Sequence, residues 1–231
     1  MTVRTEHRER VAVLTLDSPP ANAMDAASLD ELSAAVDDAT AADDVAAIVI
    51  TAAGKAFSAG LDLKAIQRAD TDAQEVLIEA LNRCFLSVYS CPKFVVGAIN
   101  GHAIAGGLVL ALCCDVRLVT DAPLRAGLAE VSVGVVYPVG ALEVVRGELA
   151  GAPLRRLVLR GDLVDADEGV ALGLFDRVVP AVELLDEAIA TATDTRPREG
   201  FAEIKAQLRR PAIEATRAAL GGRDPLPRPW L

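Results

Sequence analysis

Phe57-Ser58-Ala59-Gly60-Leu61-Asp62-Leu63 and Asn100-Gly101-His102-Ala103-Ile104-Ala105-Gly106-Gly107 are the stretches whose reading decides the fold. Each follows an apolar, β-branched run, Ala46 to Thr51 and Phe94 to Ile99, and each precedes a helical pattern. A strand-to-helix junction leaves the first N–H groups of the helix without intrahelical partners, so each junction can present free donors. Two such donors aimed at one point would hold the negative oxygen of an enolate or a tetrahedral intermediate. Either stretch alone would also fit a tight turn with glycines for packing; the pair, in this order, is what carries the reading.

The rest of the chain alternates in the same way. Val11 to Leu16 predicts a strand stopped by Ser18-Pro19-Pro20, and Asp25 caps a helix to about Ala39 with Leu29, Leu32 and Val36 on one stripe. A strand over Val45 to Ile50 leads to the first glycine stretch and a short helix from about Asp62. A longer helix follows over Ala73 to Tyr89, ended by Pro92, and then a strand from Lys93 to Ile99. Beyond the second glycine stretch come a helix through Leu112 and a strand from Asp115 to Thr120. From Pro138 the pattern is almost wholly helical, with a capping box at Asp165-Ala166-Asp167-Glu168, a short strand over Asp176 to Val179, and helices near Val182 to Ala192 and Gly200 to Leu208. Gly221 to Leu231 holds three prolines and is expected to be extended or disordered. Alternating β and α elements imply an α/β fold with right-handed crossovers.

Bulk properties narrow the function. The chain has 231 residues, 52 % hydrophobic and only 3 % aromatic, so its core is built from Ala, Val, Leu and Ile. A net charge of −10 argues against nucleic acid and anionic membrane surfaces as partners. Cys84, Cys91, Cys113 and Cys114 form no C-x-x-C pair, and two histidines supply no zinc pattern, so no metal site is expected. Reduced, buried thiols fit a cytoplasmic location. The charged start, Met1 to Arg10, has no apolar signal region, and no window is long and apolar enough to span a membrane.

The paired glycine stretches, together with Gly127-Leu128-Ala129-Glu130-Val131-Ser132-Val133-Gly134, resemble the crotonase superfamily, the enoyl-CoA hydratase/isomerase family that handles acyl-CoA thioesters. The resemblance covers roughly residues 3 to 215. It implies a crotonase-like spiral of ββα units over 1–180, a short helical C-terminal region over 181–220, and the tail 221–231. It also implies an acyl-CoA substrate, no cofactor beyond the coenzyme A of that substrate, and a homo-oligomer, trimer or hexamer. By the match, the N–H groups of Leu61 and Gly106 form the oxyanion hole, and Glu130 is the catalytic base. Ala23 and the segment Ala59, Gly60, Leu61, Asp62, Leu63 and Lys64 match nucleotide-contacting positions, with Lys64 the nearest cation for the CoA phosphates.

One departure bears on the reaction. Val109 follows Gly106 by three residues, so on a helix it shares the face that looks onto the site. The family's hydratases carry a second glutamate there; this chain carries an isopropyl group. A single carboxylate suits the Δ3,Δ2-enoyl-CoA isomerases, which move a proton from C2 to C4, and Pro19-Pro20-Ala21-Asn22, Ala105-Gly106-Gly107 and Tyr137-Pro138 resemble that branch. Such an activity belongs to fatty-acid β-oxidation. The alternatives are hydration through an unrecognised second acid and a non-catalytic acyl-CoA binding protein. Ser58 lies one glycine short of a G-x-S-x-G elbow, and the lone nearby His102 reads as a packing or capping residue.

Overall fold

The computed structural model describes residues 2–194, 199–222 and 224–226. Its backbone is a six-stranded sheet in the order β1-β2-β3-β5-β7-β9, beside a three-stranded sheet in the order β4-β6-β8. The long strands are β1 (Thr2–Arg8), β2 (Val11–Asp17), β3 (Ala47–Ala52), β5 (Phe94–Ile99), β7 (Val116–Thr120) and β9 (Arg177–Val179). β1 pairs antiparallel with β2, and every later neighbour is parallel. The short strands are β4 (Ala56–Ser58), β6 (His102–Ile104) and β8 (Ala126–Gly127), all parallel.

A repeat emerges from this order. Each long strand β3, β5 and β7 is followed by a short one, β4, β6 and β8, and then by helix. The helices are α2 (Leu63–Ile66) with α3 (Thr71–Ser90) in the first unit, α4 (Gly106–Leu112) in the second and α5 (Glu130–Val133) in the third. The chain therefore winds as ββα turns, the spiral that the resemblance implies. α1 (Ala26–Ala41) connects β2 to β3, and α6 (Val139–Glu148), α7 (Gly151–Arg160) and α8 (Ala166–Ala171) follow the third unit. α9 (Leu184–Asp194) and α10 (Phe201–Leu220) close the chain.

The apolar runs of the central strands arise because both faces of the large sheet are covered. Val11 and Val13 face one way with Val49, Val96 and Leu118, under Leu184, Ala188 and Ala192 of α9. Ala12, Leu14 and Leu16 face the other way, into the main core with Ile48, Ile50 and Val95. A period of two in Cβ direction produces this division. All four cysteines are unpaired and buried, and burial pushes the Cys84 and Cys114 thiols up to about 12, so those two are protonated packing groups.

Several elements differ from expectation. β1 is largely exposed, with only Val3 apolar in Thr2–Arg8, so it carries no hydrophobic alternation; it is a charged edge strand held by seven paired positions along β2. The last helix runs past Leu208 to Leu220 with Pro211 inside it, because Lys205 and Arg209 anchor it. Lys205 Nζ lies 2.7 Å and Arg209 Nη1 3.0 Å from the buried carboxylate of Asp115, and Arg209 also donates to the carbonyls of Tyr89 and Cys113. At Asp165 only half of the expected capping box forms: Asp165 accepts from Glu168 N, while the Glu168 carboxylate pairs with Arg156 at 2.6 Å. Within the tail, Asp224 is buried and accepts from Asn82 Nδ2 at 3.0 Å and Val139 N at 2.9 Å. That part of the tail is docked; Arg223 and residues 227–231 lie outside the described residues.

Candidate active site

β4, β6 and β8 lie side by side and parallel, so their C-terminal ends point the same way, with β6 in the middle. Leu61 follows β4, Gly106 follows β6, and Glu130 follows β8. Neighbouring strands are about 4.8 Å apart, so this small sheet brings the three expected residues to one place. They line a common cavity of about 180 Å³. Its other walls come from Leu81 and Phe85 of α3, from the loop after α5, and from Ala141 of α6.

The first turn is held from behind by polar bonds. Asn22, buried and at φ 51°, donates from Nδ2 to the carbonyls of Ala53 (2.9 Å) and Ala56 (2.8 Å). Ser58 Oγ donates to Asn22 O at 2.8 Å and accepts from Gly60 N at 3.1 Å. Ser58 is fully buried with both roles occupied, so it is a turn-fixing hydroxyl and not a nucleophile. Gly60 stands at φ 77°, and a Cβ there would lie 2.8 Å from Ile104 O and 3.1 Å from Gly106 N. Glycine at 60 is what lets the two turns touch.

The second turn is strained. Ala105 adopts φ 52°, ψ −125° at the N-cap of α4, a region that a Cβ disfavours. Its N–H is tied to Gly127 O at 2.8 Å, and its carbonyl takes the N–H groups of Leu108 and Val109. Gly106 is the first residue of α4, so the helix cannot use its N–H. No hydrogen bond occupies the N–H of Leu61 or Gly106 among the described residues. The two donors remain available at the cavity.

The glycines here differ in kind. A Cβ at Gly107 would collide with Ser58 O, and one at Gly101 with Lys55 O, so packing forbids both. A Cβ at Gly106 would meet Met24 Sδ at 3.6 Å, Gly60 Cα at 3.8 Å and Phe85 Cζ at 3.9 Å, all ordinary contacts. The fold does not require glycine at 106.

Glu130 opens α5 and is 8 % exposed. Burial raises its carboxyl above the ordinary 4.5, with hydrogen bonds from its own N–H and from Tyr137 restraining the rise. Tyr137 Oη donates to Glu130 Oε2 at 2.9 Å. Glu130 is the one acid in the cavity wall among the described residues, and no cluster there could hold a metal ion.

The remaining expected residues are placed as follows. Ala59 and Leu63 line the cavity. Gly60 packs behind Gly106, and Asp62 caps α2 by accepting from Lys64 N (3.0 Å) and Ala65 N (3.1 Å). Ala23 is half-buried beside Met24, and Lys64 is exposed on α2 away from the wall. Val109 needs correction: it is fully buried in the main core and is not part of the cavity wall. One turn beyond Gly106, its side chain packs with the main core instead. His102 Nδ1 accepts from Arg125 N at 2.9 Å, a packing role. The sequence marks Tyr137 only through the resemblance of Tyr137-Pro138; its contact with Glu130 depends on the left-handed turn at Gly134 (φ 74°), which brings the chain back.

The small sheet gathers two unoccupied N–H groups and a buried glutamate around an apolar cavity, and comparison with known proteins gives the family. Residues 6–224 match the family described as enoyl-CoA hydratase/isomerase, and the chain belongs to that family. A putative enoyl-CoA hydratase from Thermus thermophilus is 41 % identical over 190 residues, covering 80 % of this chain and 74 % of that protein. A probable enoyl-CoA hydratase of Mycobacterium bovis is 33 % identical over 193 residues, covering 83 % and 74 %. Among solved structures, human mitochondrial Δ3-Δ2-enoyl-CoA isomerase superposes with a TM-score of 0.89 at 26 % identity, covering 95 % of this chain and 87 % of that one. An enoyl-CoA isomerase of Mycobacterium tuberculosis gives 0.87 at 29 %, covering 95 % and 96 %.

Proposed function

We propose that this protein is a Δ3,Δ2-enoyl-CoA isomerase acting in fatty-acid β-oxidation in the cytoplasm. The observation that carries the reading is the single buried carboxylate in an otherwise apolar cavity, beside two unoccupied backbone donors. In a 3-enoyl-CoA, Glu130 takes a proton from C2, and the electron pair delocalises onto the thioester oxygen as a dienolate. The N–H groups of Leu61 and Gly106 stabilise that oxygen, each donor contributing about 3–4 kcal/mol. The protonated Glu130 then delivers to C4, and the double bond moves into conjugation. A carboxyl whose pKa is raised by burial suits both halves of this exchange.

Hydration is the second reading, favoured by the names of the relatives from Thermus thermophilus and Mycobacterium bovis. It calls for a second acid to manage the added water, and the described wall offers none. A binding protein without activity would need no base at all. Rising absorbance of the conjugated thioester after mixing with 3-hexenoyl-CoA supports the isomerase; an unchanged spectrum with tight acyl-CoA binding refutes it.

Self-association belongs to the same reading. Leu159 and Leu163 are exposed beside Val131, and Ile204 and Leu208 are exposed on α10. We infer that a second copy of the chain covers part of this apolar surface.

A further inference from the structure

Glu130 and Tyr137 are the two side chains with polar atoms in the cavity wall among the described residues. Facing them from the surrounding elements are Leu61, Leu63, Leu81, Phe85, Ile104 and Ala141, all apolar. Among the described residues Tyr137 is therefore the one titratable group in the wall that faces the base. Its hydroxyl donates to Oε2 at 2.9 Å, and no other described side chain donates to the carboxylate. The placement is fixed on both sides: Val135 N bonds to Glu130 O at 3.0 Å through the Gly134 turn, and Pro138 caps α6. Burial, reinforced by the neighbouring carboxylate, holds the phenol far above its ordinary 10. It stays an O–H donor whether Glu130 is charged or protonated.

We propose that Tyr137 is a positioning residue that commits Oε2 of Glu130, leaving Oε1 to carry the proton from C2 to C4. This rests on the isomerase reading. When Oε1 takes the C2 proton, the C–H electrons enter the dienolate and Oε2 becomes the carbonyl oxygen, which still accepts from Tyr137. When Oε1 returns the proton to C4, the carboxylate is restored with the same hydrogen bond. The carboxyl plane is thus held through the cycle, which shortens the search for C4.

The test is Tyr137→Phe, which removes one oxygen and keeps the ring. With 3-hexenoyl-CoA, kcat falls about tenfold while KM holds. The hydrogen bond favours the charged form of Glu130, so its loss moves the acid limb of kcat/KM to higher pH. With substrate deuterated at C2, less label arrives at C4, because a carboxyl no longer held in plane delivers more slowly and its deuteron has longer to exchange with solvent protons. Unchanged kcat, acid limb and label transfer in Tyr137→Phe overturn the positioning role and leave the isomerase reading intact. A lower kcat with an unmoved acid limb also overturns it, since packing alone would explain the loss. Wild-type protein that leaves 3-hexenoyl-CoA unconverted overturns the isomerase reading itself, and the role with it.

Discussion

Replacing Gly106 with alanine separates what the fold needs from what the ligand needs. The added Cβ has neighbours no closer than 3.6 Å, and Gly106 is helical with no positive φ. Alanine there loses less conformational entropy than glycine on folding, a gain of about 0.4–1 kcal/mol. For a domain of this size that raises the melting temperature by roughly 1–4 °C. The same methyl stands between Gly60 and Phe85, at the wall where the thioester oxygen must come within about 3 Å of the Gly106 N–H. Displacing that oxygen costs one donor, so kcat for 3-hexenoyl-CoA falls by about 10² to 10³. Gly107→Ala is the contrast: its Cβ would collide with the backbone at Ser58, and it lowers stability. Thermal melts and steady-state kinetics on both variants suffice. A Gly106→Ala protein with full activity refutes the oxyanion assignment, and one that melts as early as Gly107→Ala refutes the packing argument.

Two further outcomes follow from the same geometry. Glu130 has its pKa raised in the fold, so its stabilising contribution is complete below 4.5 and is lost as pH rises through the folded value; Glu130→Gln should melt higher than wild type at neutral pH, with the gap closing on acidification, and an equal gap at all pH values would contradict this. Exposed apolar residues on α7 and α10 predict that sedimentation at micromolar concentration shows an assembly larger than the 24.1 kDa chain, and a monomer alone would count against it.

Much of the site was legible because its chemistry is local. The glycine turns and Glu130 sit in short motifs whose residue types have few other uses together. The long strands were equally plain, since β3 and β5 are buried on both faces and read as unbroken apolar runs. The small sheet was not legible: β4, β6 and β8 hold two or three residues each, too few for any period to register. Yet this sheet is what carries Leu61, Gly106 and Glu130 to one cavity. β1 escaped because an exposed edge strand needs no apolar alternation. α10 escaped beyond Leu208 because the interactions that anchor it, Lys205 and Arg209 on Asp115, join residues far apart in sequence. Val109 fails because helical spacing predicts which residues share a face, while tertiary packing sets the direction in which that face points; Tyr137 lies in the loop between α5 and α6, where no helical period applies.

The central claim is that one buried carboxylate moves a proton within the acyl chain. Parallel rates on 3-hexenoyl-CoA and crotonyl-CoA, for wild type and for Glu130→Gln, test it directly. The account predicts that wild type isomerises 3-hexenoyl-CoA faster than it hydrates crotonyl-CoA, and that Glu130→Gln loses isomerisation by about 10² or more while still binding acyl-CoA. Rapid hydration of crotonyl-CoA by wild type, with 3-hexenoyl-CoA left unconverted, would contradict it.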